Sequence, residues 1–114
     1  MTEQADNLAA QLAPYRRTPG VVAALLVSRD GFVIAADADP GVKTDAVAAQ
    51  VAGVIDIGAR LAAELGQPGA RYISIDLDGL TVVLAPFNGE LMLVLAGTSE
   101  AIACEYRLAS PPHA

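Results

Sequence analysis

The sequence predicts an α+β domain built on a mainly antiparallel sheet, with helices on both faces. Three observations predict it. Strand–turn–strand runs are centred on Arg29-Asp30-Gly31, Asp78-Gly79 and Pro86-Phe87-Asn88-Gly89, and tight turns of this kind join antiparallel neighbours. One alanine-rich stretch, residues 44–66, repeats its large apolar side chains at helical spacing. Polar capping residues open further helical stretches near both ends. The order is helix, strand, strand, helix, three strands, helix.

Thr2 caps a first helix over residues 2–12, with Glu3 and Asp6 in its first turns, where acids suit the helix dipole. Leu8 and Leu12 give it a narrow apolar face. Pro14 ends it or lies just past its end, and Pro19-Gly20 breaks the chain again. Residues 21–28 form an apolar strand, 29–31 a turn and 32–36 a second strand. Residues 37–42, with Pro40 and Gly41, form a loop. The long helix ends at Gly66, a residue suited to the left-handed conformation past a helix end. Residues 67–69 connect it to a hairpin of 71–77 and 80–85. Tyr72, Ser74 and Asp76 alternate there with Ile73, Ile75 and Leu77, which gives one wet and one buried face. Residues 91–96 are a wholly apolar last strand. Thr98 or Ser99 caps a helix to about Leu108, and residues 110–114 are a frayed tail. Gly31, Gly79 and Gly89 sit in turns where φ is expected to be positive.

The long helix carries the most information. At about 100° per residue, Val47, Val51, Val54, Ile55, Gly58, Leu61, Ala62 and Leu65 form one stripe, the face expected to cover the sheet. A surface helix of a monomer is polar elsewhere. This one carries Ala46, Ala48, Ala49, Ala52, Gly53, Ile57, Ala59 and Ala63 there, interrupted only by Asp45, Gln50, Asp56, Arg60 and Glu64. Helix propensity explains alanines, but it does not explain Ile57 beside Gly53 on the far side. Self-association does, with Ala49 and Gly53 letting a second helix approach closely. Asp56 and Arg60, and Arg60 and Glu64, stand four apart and pair within the helix for roughly 0.2–0.5 kcal/mol, or contact a partner.

Composition bounds the function. At 114 residues, one domain over 1–114 is expected, large enough to bury roughly two-thirds of its unfolded surface. The hydrophobic fraction is 54% and the mean hydropathy +0.43, high for a soluble domain of this size. No apolar run reaches the roughly 18 residues of a membrane span, so the surplus apolar surface is expected to meet protein, without membrane insertion. A net charge of −6 and scattered basic residues argue against nucleic acid. The N-terminus lacks the basic and apolar regions of a signal peptide. The lone Cys104 fits a reducing compartment, and a cytoplasmic location is expected.

Chemistry finds little support. The single histidine, His113, follows Pro-Pro in the tail, where it cannot be held against Cys104 or a serine. Cysteine or histidine pairs, calcium loops and phosphate-cradling glycine motifs are absent from the sequence. The five aromatics are too dispersed for a stacking platform. Asp76 and Asp78 flank Leu77 beside a turn, an ordinary place for aspartates. A non-enzymatic protein with no cofactor and no metal is expected.

The run Pro19-Gly20-Val21-Val22-Ala23-Ala24-Leu25-Leu26-Val27-Ser28-Arg29-Asp30-Gly31-Phe32-Val33-Ile34-Ala35 resembles the opening signature of the roadblock family of dynein light chains. The Ala-rich helix, Leu65-Gly66, the strand Tyr72-Ile73-Ser74-Ile75-Asp76 and the strand Leu91-Met92-Leu93-Val94-Leu95-Ala96 follow in the family's order. The resemblance spans roughly Leu8 to Leu108. It implies a profilin-like fold with a five-stranded antiparallel sheet, the long helix on one face and both terminal helices on the other. It also implies a homodimer in which the central helices and third strands of two copies meet. Interface residues are then expected among Ala49, Gly53, Asp56, Ile57, Arg60 and Glu64 of the helix and Tyr72, Ser74 and Asp76 of the strand. Bacterial and archaeal members typically act on small Ras-like GTPases, some promoting hydrolysis without supplying a catalytic residue. Arg60, on the exposed helix face, is where an arginine finger would stand. The resemblance thus points to a homodimeric regulator of a small GTPase. The alternatives are a scaffold dimer with no nucleotide-linked role, and a profilin-like sensor with a small-molecule pocket. A sensor needs polar groups aimed into its cavity, and the positions expected to point inward are Val, Ile, Leu and Ala.

Overall fold

A computed structural model describes residues 7–103. The elements are α1 (Ala13–Arg17), β1 (Val21–Ser28), β2 (Val33–Ala38), α2 (Thr44–Glu64), β3 (Ile73–Asp76), β4 (Thr81–Pro86) and β5 (Leu91–Gly97). Residues 7–10 and 99–103 are also helical. The strands form one sheet in the order β2-β1-β5-β4-β3, every pair antiparallel. This is the five-stranded antiparallel sheet that the resemblance implies.

Both sheet faces are covered. Ala24, Leu26, Val83, Leu93 and Leu95 pack on one side with Leu12 and Ile102, from the terminal helical segments. Ala23, Leu25, Val27, Leu84, Met92 and Val94 pack on the other with Ala48 and Val51 of α2. Strands buried on both faces have no polar side to show, which is why β1 and β5 are apolar along nearly their whole length.

Several boundaries differ from expectation for identifiable reasons. Pro14 lies just past the first helical stretch, which ends at residue 10, and falls in the first turn of α1, where a missing N–H is no loss. Strand β2 extends to Ala38, so the loop after it is shorter than expected. Its end is tied down, since the Asp39 N–H donates to the Val22 carbonyl at 2.8 Å. Arg16 adds a clamp, donating through Nε to Asp37 at 3.0 Å and through its terminal nitrogens to Asp39 and to the Val21 carbonyl, both at 2.6 Å. The hydrogen bonds to Asp39 and then Asp37 raise the Arg16 pKa, against an opposing effect of desolvation. A bulge carries Ile34 past the Leu26–Val27 step, so Val33 and Ala35 face opposite sides of the sheet. Strand β3 begins at Ile73, later than residue 71.

The helix α2 stops as expected. Gly66 has φ +72, the Gln67 N–H reaches the Ala62 carbonyl at 2.8 Å, and the Gly66 N–H reaches that of Ala63 at 3.1 Å. Gly31 and Gly79 have φ of +93 and +109, but Gly89 is not in the positive-φ region. Its turn is built instead by Asn88, whose Oδ1 accepts the N–H groups of Glu90 and Leu91 at 2.8 and 2.9 Å. Thr98 caps the last helical segment, its Oγ1 accepting the Ala101 N–H at 3.2 Å. The cap at Thr2, Cys104, the remainder of that helix to Leu108, and His113 lie outside the described residues. By length and composition α2 would suffice to cross a membrane, so the expectation drawn from apolar runs holds only for uninterrupted ones. In the fold it lies along the sheet.

Candidate partner interface

The face that α2 turns to the sheet is set by its small residues. Ala48, Val51 and Ala62 are buried, with Ile55 and Gly58 in the same row. A Cβ on Gly58 would stand 3.1 Å from Ile73 Cδ1 and 3.4 Å from Ala70 Cβ, so the absent side chain lets the chain leading into β3 lie close. This seating overturns one expectation. Leu61 and Leu65 do not cover the sheet; they are 60% and 68% exposed. Side chains four apart stack on one helix row, and these two continue the side of the helix that also shows Ile57, 65% exposed.

The expected interface residues of the helix sit on its outer surface. Ala49, Gly53, Asp56, Ile57, Arg60 and Glu64 are all exposed. Nothing lies within 4 Å of a Cβ built on Gly53. Arg60 pairs with Asp56 at 2.8 Å, four residues away on the same helix. Solvent screens such a pair, which contributes about 0.3–0.5 kcal/mol.

Between this surface and β3 runs a groove of about 540 Å³, lined by Val54, Ile57, Leu61 and Leu65 on one side and Ala70, Tyr72, Ile73 and Ser74 on the other. Strand β3 is outermost in the sheet, so one of its backbone edges has no strand beside it. Its side chains alternate over Ile73–Asp76, with Ile73 packed toward α2, but Leu77, expected on the buried face, lies past the end of the strand and is 50% exposed. The expected strand residues therefore do not all join the helix residues on one surface. Tyr72, Ser74 and Asp76 line a second recess of about 470 Å³ on the opposite face, beside Ser99 and Ile102. There Thr81 donates to Asp76 Oδ1 at 3.1 Å. Its single proton is thereby used, so Ser99 donates to Thr81 at 2.8 Å. Among the described residues only Tyr72 and Ser74 border both recesses, round the edge of the sheet.

The family model described as Roadblock/LC7 domain matches residues 8–96. The chain belongs to the Roadblock/LC7 family. The match runs from the first helical turn almost to the end of β5, so it includes α2, the β3 edge and the groove between them. Among solved structures, MglB of Myxococcus xanthus superposes with a TM-score of 0.78 at 15% identity, over 86% of this chain and 74% of that one. The gliding protein MglB of Thermus thermophilus gives 0.77 at 24% identity, over 93% and 79%. A Roadblock/LC7 domain from Streptomyces avermitilis gives 0.73 at 23%, over 85% and 83%. At these identities the likeness is one of fold. No curated protein matches the sequence. Leu61 and Leu65 are the residues of this Roadblock/LC7 surface that sequence reasoning missed. Their recurrence at every fourth position after Ile57 was the available signal.

Proposed function

We propose that the chain works as a homodimer that binds a small Ras-like GTPase and modulates its nucleotide cycle. The observation that carries this reading is the apolar row Ile57, Leu61 and Leu65, uncovered and running beside the open edge of β3. Single exposed apolar residues are ordinary, but a contiguous patch is the mark of an interface. A two-fold contact uses the same patch on both copies. Pairing β3 with its copy satisfies the free backbone edge and brings the two α2 helices together. Ala49 and Gly53 allow close approach, while Asp56, Arg60 and Glu64 supply polar contacts for the GTPase. The role is regulatory, consistent with a family of adaptors rather than catalysts. Arg60, already paired with Asp56 in the helix, contributes a docking charge in preference to a catalytic one.

The test is affinity capture from the source cell's lysate, run in parallel with a non-hydrolysable GTP analogue and with GDP. A Ras-like GTPase retained with the analogue and lost with GDP is expected. Retention of other proteins irrespective of nucleotide, without a GTPase, would replace this reading with that of a scaffold dimer.

A further inference from the structure

A recess of about 220 Å³ opens on the α2 side of the sheet, between the β1–β2 turn, α2 and the connector into β3. Ile55, Ala59, Ile73 and Met92 give it apolar walls, and Arg29 and Arg71 line it from two separate segments. Both segments are anchored on α2. A Cβ on Gly31 would stand 3.2 Å from Ala52 Cβ, which seats the turn carrying Arg29. A Cβ on Gly58 would stand 3.4 Å from Ala70 Cβ, which seats the connector carrying Arg71.

The charges at this recess are unusual for the chain. The protein carries 7 basic against 13 acidic residues. Arg16 and Arg60 are neutralised by neighbouring aspartates. Among the described residues Arg29 and Arg71 have no ion pair and no hydrogen-bonded partner, yet they line the same recess. Two like charges at one site repel, and an oxyanion between them turns repulsion into attraction. Guanidinium groups suit this because their fork matches phosphate and carboxylate oxygens. The overall negative charge opposes an anion here only weakly, since physiological salt screens charges beyond about 8 Å.

The geometry points to a binding site for a small organic oxyanion, in which Arg29 and Arg71 hold a phosphate or carboxylate and Ile55, Ala59 and Met92 hold a short apolar body. Size sets the class. At ~30 Å³ per water, the recess has the volume of roughly seven waters, below the usual range for drug-sized ligands. A nucleoside triphosphate is too large, whereas a single charged group on a short body fits.

Phenyl phosphate and inorganic phosphate are the probes, titrated at matched ionic strength and followed by amide NMR shifts. Saturable binding of phenyl phosphate is expected, tighter than that of inorganic phosphate, with shifts in the β1–β2 turn and the 67–71 connector. The double variant Arg29→Gln, Arg71→Gln is expected to weaken it about tenfold or more. Arg17→Gln, which removes a charge elsewhere, leaves it unchanged. Both substituted arginines of the recess are exposed, and circular dichroism checks that the variants fold. Non-saturable shifts, equal binding of the two probes, or full binding by the folded double variant would overturn the proposal. No GTPase enters the measurement, so its outcome is independent of the regulatory role proposed above.

Discussion

At the scale of single residues, two glycines with the same sequence character have opposite structural weight. Gly89 lies in a turn, has no positive φ, and nothing lies within 4 Å of a Cβ built on it. Gly97 ends β5, where a Cβ would stand 2.6 Å from the Gly20 carbonyl oxygen and 2.9 Å from Val21 Cα. Those neighbours are backbone and cannot swing aside. Gly97→Ala is expected to cost about 3 kcal/mol in a urea melt. Gly89→Ala is expected to be neutral or to stabilise by roughly 0.4–1 kcal/mol, through the unfolded chain. Equal midpoints for the two variants would refute the close approach at Gly97. Turn chemistry made Gly31 and Gly79 legible in the sequence, because a tight hairpin turn restricts which residues fit. Gly97 was illegible because its constraint comes from Gly20 and Val21, far away in the chain and brought close by the register shift between Val21 and Ala23. The Arg16 clamp was hidden for the same reason, since Asp37 and Asp39 are distant in sequence.

At the scale of elements, α2 shows how far periodicity reaches. Its existence, its end at Gly66 and its apolar excess were all readable. Which stripe meets the sheet was not, because nearly every stripe is apolar. Packing decided it: the row of Ala48, Val51, Ile55, Gly58 and Ala62 turns toward the sheet, while Leu61 and Leu65 stay 60% and 68% exposed. The outer surface is consequently testable apart from the fold. Gly53→Arg meets open space in the monomer and replaces a poor helix former, a gain of roughly 0.8–1.0 kcal/mol for the helix. In the proposed dimer the same side chain enters the helix–helix contact. Ile57→Asp places a charge where an apolar contact is proposed, at a position 65% exposed in the single chain. Both variants are expected to keep native circular dichroism and to shift the mass in multi-angle light scattering from dimer to monomer at micromolar concentration. Dimer mass in both would show that α2 does not form the contact.

At the scale of the whole molecule, hairpin signals were enough to predict an antiparallel sheet, but not its order. The central places of β1 and β5 follow from burial on both faces, and the outer place of β3 follows from its half-polar alternation. That outer place leaves a backbone edge and an apolar groove side by side, and the proposed second copy would close both. If folding and pairing are coupled, stability depends on protein concentration. Each tenfold increase adds about 1.4 kcal/mol to the dimer. Unfolding entropy is about 2.1 cal/mol/K per residue, so over two chains the Tm rises by about 3 °C per tenfold. Calorimetry across a hundredfold range of concentration is expected to show this rise in the native protein and a flat Tm in Ile57→Asp. A Tm independent of concentration in the native protein, under conditions where light scattering finds dimers, would mean that the chains fold first and pair afterwards. The exposed row on α2 would then be tolerated by a stable monomer, and the sheet edge would contribute little to holding the fold together.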